Sequence, residues 1–171
     1  MNLYKNQLKQ WVVDHIEGFN YGYYITIDTS YTTGTQIMNE RFLTDFVEET
    51  SGIFRALNIY AYGRHYQRYE RLEGSGMHKL HEVTAYEISK GGRLHFHSML
   101  LHDGSCNRSV DQIENRLRKI CTDNRHTKLE GENALDVQPY DVSRTDNLVN
   151  YMLKSSDYFY DRYRFCNINI S

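Results

Sequence analysis

The chain has 171 residues, 40% of them hydrophobic and 25% charged, which is the profile of one globular domain with a core of its own. Its net charge of −2 excludes a whole-protein field that draws in nucleic acid, so any such binding has to come from a local patch. Three cysteines without CxxC spacing exclude a disulfide framework and a zinc cage, and no apolar run reaches transmembrane length, so no membrane partner is expected. No signal peptide opens the chain, which reads as a soluble cytoplasmic protein that is not secreted.

In chain order, Leu8, Trp11, Val12, His15, Ile16 and Phe19 recur at three- and four-residue spacing and predict an N-terminal helical extension over 1–19. The stretch YGYYITIDTS (21–30) is aromatic and β-branched and predicts a central strand. Phe42, Leu43, Phe46, Val47, Phe54 and Leu57 predict a helix from Asn39 to about Leu57, with an acidic outer face. From Arg55 to Glu73 arginines interleave with tyrosines. Arg64, Arg68 and Arg71 with Tyr66 and Tyr69 suit single-stranded nucleic acid, because guanidinium groups neutralise phosphates and aromatic rings accept unstacked bases. The plain alternative is a tyrosine-rich edge of a sheet.

Two apolar runs, VTAYEIS and LHFHSMLL, flank KGGR and predict a β-hairpin with strands near 81–89 and 93–101. Residues i and i+2 of a strand share a face, so His95 and His97 project together, and the hairpin folds Glu87 back beside them. Two imidazoles and a carboxylate make a candidate divalent-cation site with open positions. His81 and His102 flank the hairpin as competing ligands. Further on, Val110, Ile113, Leu117 and Ile120 predict a helix with a basic outer side. ALDVQPYDV predicts a strand, in which Pro139 argues for an edge or a strand end. Ser143 to Asp146 reads as a capping box for a last helix, DNLVNYMLKSSDYFY, on which Asn147, Tyr151 and Lys154 share a face. The order β-α-β-β-α-β-α after the first helix predicts an α+β fold, an antiparallel-rich central sheet with flanking helices of the ferredoxin-like or RRM-like kind.

Three of these pieces, YYITIDTS (23–30), LHFHSMLL (94–101) and VNYMLKS (149–155), stand in the order of three family motifs: an apolar strand, a His-hydrophobic-His strand and a Tyr-x-x-Lys helix. Here the chain resembles the HUH endonuclease superfamily, and within it the single-tyrosine replication initiators (Rep proteins) of rolling-circle plasmids and viruses. The resemblance covers roughly residues 21–158 and implies a single HUH nuclease domain over 1–171. It implies that Glu87, His95 and His97 hold Mg²⁺ or Mn²⁺. Tyr151 would attack single-stranded DNA to leave a 5′-phosphotyrosine and a free 3′-OH, with Lys154 neutralising phosphate charge. The implied partners are origin DNA near a stem-loop, a host helicase and a polymerase, since the chain carries no GxxxxGK[ST] loop. Two other readings stay open. A related single-tyrosine transposase usually pairs its tyrosine with a downstream Gln; a non-catalytic binding module would use the same sheet without Tyr151.

Overall fold

The structure is a computed structural model that describes residues 3–32, 40–66, 79–88, 93–154 and 169–170. Helix α1 (Leu3–Ile16) leads into β1 (Tyr21–Thr32), α2 (Glu40–Tyr62), β2 (His81–Ile88) and β3 (Arg93–His102). Then come α3 (Val110–Thr122), β4 (Leu135–Pro139), α4 (Thr145–Met152) and a two-residue strand β5 (Asn169–Ile170). The strands form one sheet in the order β4-β1-β3-β2-β5, with every neighbouring pair antiparallel. This is the α+β, ferredoxin-like arrangement that the element order predicts. Pro139 closes the register of edge strand β4, where its missing N–H costs no ladder bond.

Alternation along the strands divides the interior in two. Tyr23, Ile25 and Ile27 of β1 and Leu94, Phe96 and Leu100 of β3 pack with Phe46, Ile53, Phe54 and Leu57 of α2 and Ile113, Leu117 and Cys121 of α3. On the other side Tyr24, Val83, Ala85, Met99 and Leu101 meet Val12 and Ile16 of α1 and Val149 and Met152 of α4. By the same alternation His95, His97, Met99 and Leu101 share this second face. One side of the sheet is a large apolar core, and the other combines a smaller core with the histidines.

Local departures from the sequence expectations have physical causes. Helix α2 runs on to Tyr62 because nothing breaks it before Gly63, whose φ of 86° only glycine adopts freely. Asn58, which favours loops, is held in that helix by donating to the Phe54 carbonyl at 3.1 Å and accepting from Leu80 N at 2.7 Å. The expected capping box at Ser143 is a correction: Val142–Arg144 is a 3₁₀ turn and α4 starts at Thr145. Asp141 caps that turn, accepting from Ser143 N at 3.0 Å, while Arg144 at the N-cap of α4 makes no side-chain capping bond. A capping box does occur at α3, where Ser109 and Gln112 satisfy each other's backbone N–H groups. On α1 the apolar face is narrower than predicted, for Trp11 is 47% exposed and stacks on His15.

Candidate metal centre and nucleophile

The β2–β3 hairpin sets the geometry. Its register places Glu87 directly across from His95 and Ala85 across from His97, all on the face shared with α4. Glu87 Oε2 lies 2.9 Å from His95 Nε2 and 3.6 Å from His97 Nε2. One ligand atom from each of the three residues falls within 4.8 Å of the others. His97 is 2% exposed, its Nε2 is buried, and among the described residues no hydrogen bond reaches that atom. A buried ring nitrogen left in that state, facing a carboxylate and a second imidazole, fits a cation ligand better than a core histidine. Burial, then the neighbouring His95 and Lys154, push the His97 pKa down to about 4, against the pull of Glu87. The ring is therefore neutral near pH 7, the state a metal ligand needs.

Helix α4 brings the tyrosine. Val149 and Met152 anchor it to the second core, which turns Tyr151 outward over the centre. The Tyr151 ring stands edge-on to His97, centroids 5.0 Å apart, and Tyr151 is 49% exposed. Lys154 lies just past the helix end, where the chain turns. Its Nζ is 3.9 Å from the centre of the Tyr151 ring and 3.3 Å from Glu87 Oε2. Burial opposes the charge on Lys154, but Tyr151 and Glu87 outweigh it and hold the ammonium above its ordinary range. Helix α1 clips this unit: Lys9 Nζ meets Asp146 at 3.3 Å, and Lys5 Nζ donates to the Lys154 carbonyl at 3.4 Å.

The five residues Glu87, His95, His97, Tyr151 and Lys154 thus gather at one place. Asn147 is exposed on α4. Arg64 is exposed, whereas Tyr66 is buried, and both follow α2, which packs on the opposite side of the sheet. Arg68, Tyr69 and Arg71 lie outside the described residues. Tyr60 packs beneath Arg108 and Arg116, at 4.4 and 5.8 Å from its ring centre. His81 and His102 do not join the centre. His81 packs on Phe19, and His102 sits with Tyr21 and Tyr23 at the far end of β3.

Two contributors had no role in the sequence reading. Thr26 Oγ1 is 3.1 Å from His97 Nδ1, and the Tyr24 ring lies nearly parallel to His97, 12° between planes. The period-two pattern of YYITIDTS puts both on one face, but only the strand order shows that this face borders His97.

Chemically the centre offers two nitrogens and one carboxylate to a cation, beside an accessible phenol with an ammonium against its ring. No protein-family model matches the sequence, and no curated protein matches it. Among solved structures, the chain is similar to the hypothetical protein ORF119 from Sulfolobus islandicus rod-shaped virus 1. That likeness has 19% identity and a TM-score of 0.44 over 88% of this chain and 94% of the other, and nothing about function follows from it. Among the described residues no helix is long and apolar enough to cross a membrane.

Proposed function

We propose that this protein is a metal-dependent enzyme that nicks and rejoins single-stranded DNA, of the Rep type that starts rolling-circle replication. The observation that carries the reading is Tyr151, half-exposed with its ring 5.0 Å from a buried imidazole of the candidate centre. A structural tyrosine has no need of a carboxylate, two histidines and a lysine around it; a nucleophile does.

Glu87, His95 and His97 would hold Mg²⁺ or Mn²⁺, which would supply Lewis-acid stabilisation of the charge on the scissile phosphate. Tyr151 Oη loses its proton and bonds to phosphorus as the bond to the 3′ oxygen breaks. The 3′ oxygen takes up a proton, and the 5′ end stays on Tyr151. The Lys154 ammonium stabilises the phenolate and then the phosphate charge. Attack by a 3′-OH on the phosphotyrosine reverses the sequence, and no ATP is consumed because each phosphodiester is exchanged for another.

The test is a denaturing gel of wild type and Tyr151→Phe with Mn²⁺ and labelled stem-loop oligonucleotides. A protein–DNA band that needs both the cation and Tyr151 is expected. Tight binding that survives chelation and Tyr151→Phe, with no covalent band, would replace this reading with a non-catalytic binding module.

A further inference from the structure

Strand β1 enters the centre through two side chains that the nicking chemistry leaves without a part. Thr26 is paired with His97 in the β1–β3 register, and its hydroxyl is the partner of His97 Nδ1. Tyr24, two residues earlier on the same face, lays its ring nearly parallel to the imidazole at 6.2 Å between centroids. With Tyr151 edge-on at 5.0 Å, two aromatic rings border the imidazole, and the Thr26 contact distinguishes one ring nitrogen from the other.

We propose that Thr26 is a positioning residue that makes Nε2 the ligand atom of His97, with Tyr24 holding the ring plane. The proposal rests on the cation centre above and assigns a task to the stretch YYITIDTS. A neutral imidazole carries one proton, and the nitrogen that bears it cannot ligate. Without a cation, Nε2–H can face the Glu87 carboxylate, which only accepts, while Thr26 donates to Nδ1. With Nε2 serving as the ligand atom, the one proton of the neutral imidazole would sit on Nδ1, and the Thr26 hydroxyl would accept it. A carbonyl or carboxylate in place of Thr26 would accept only and would hold one tautomer throughout. A hydroxyl serves both states, so the centre can fill and empty without stranding a buried N–H.

The experiment titrates Mn²⁺ alone into wild type, Thr26→Val and Thr26→Ser, reading free Mn²⁺ by its paramagnetic resonance signal. Thr26→Val keeps the shape and removes the hydrogen bond, and its Mn²⁺ affinity should fall about 10–100-fold. Thr26→Ser restores the hydroxyl and should bind within a few-fold of wild type. In the Mg²⁺-loaded wild type, nitrogen-15 imidazole spectra should show His97 protonated at Nδ1. Equal Mn²⁺ affinity in folded Thr26→Val, or a proton on Nε2 in the loaded protein, overturns the role of Thr26 and leaves the nicking reading standing. If Thr26→Val fails to fold, the Thr26→Ser affinity and the ring spectra decide. A wild type that takes up no Mn²⁺ brings down the cation centre and this inference with it.

Discussion

Lys154 Nζ rests 3.3 Å from Glu87 Oε2, the same carboxylate oxygen that faces His95 Nε2 at 2.9 Å. The ammonium thus shares an oxygen with the place a divalent cation would take. A cation held there would compete with the Lys154 ammonium for Glu87.

Replacing Lys154 by Met should therefore tighten Mn²⁺ binding while slowing chemistry. Removing a half-exposed competing cation is worth up to about 1 kcal/mol, roughly five-fold in affinity. Losing the charge beside the phenolate should lower single-turnover adduct formation by roughly two orders of magnitude. Weaker Mn²⁺ binding in Lys154→Met would mean that Lys154 supports the centre rather than competing with it.

The two histidines should separate on mutation. His95 is partly exposed and His97 is enclosed. His95→Ala and His97→Ala should both abolish DNA cleavage and leave single-strand affinity nearly intact, as measured by gel shift in chelator. His95→Ala should melt close to wild type, whereas His97→Ala should lose about 1–3 kcal/mol for the cavity it opens. Equal melting losses would place both rings in the structural core.

A buried acid away from the centre predicts the pH response of the fold. Glu82, 2% exposed, lies on the opposite face of β2 from Glu87, and Thr84 donates to it at 2.7 Å. Burial, opposed by that hydrogen bond, pushes its pKa from 4.5 up to about 8. A raised folded-state pKa means that the native protein keeps a proton the unfolded chain has lost. This contribution is complete below the unfolded value of 4.5 and fades as the pH rises through about 8. Unfolding free energy should then fall toward alkaline pH, by at most about 1.4 kcal/mol per unit from this group. Urea titrations at pH 5, 6.5 and 8 should show that slope flattened in Glu82→Gln; parallel lines for the two proteins would exclude it.

Gly22 is set by close approach rather than by a turn. A Cβ there would run into the Leu100 carbonyl oxygen and sit 3.0 Å from Leu101 Cα, in the ladder between the two central strands. Gly22→Ala should cost about 2–4 kcal/mol in urea denaturation, because the obstacle is backbone and cannot rotate aside. A loss below half a kcal/mol would mean that β1 slides to make room.

Much of the centre was readable in the residues. His95 and His97 follow from strand alternation, and Glu87 from two apolar runs close enough in sequence to pair as antiparallel neighbours. Tyr151 follows from helical spacing that keeps Val149 and Met152 inward. Lys154 reaches the site by another route than predicted, from the turn beyond α4 rather than from a continuing helix face. Thr26 stayed hidden because its importance depends on which strand borders β3, and pairing across 71 residues leaves no local trace. The reach of α2 through Tyr62 was missed for a similar reason. Tyr60 and Tyr62 fall there at the two-residue spacing of a strand, but Asn58 is tied to Leu80 and the helix persists.

The two-sidedness of β3 makes chain length matter more there than side-chain identity. One residue inserted between Arg93 and His95 would turn both imidazoles into the space filled by Phe46 and Ile53, and bring Phe96 round to the face that carries Glu87. Single substitutions can retune this surface one group at a time. A frame slip of one position would exchange the candidate cation ligands for core side chains in a single step, so variation by insertion has to be carried by the turns.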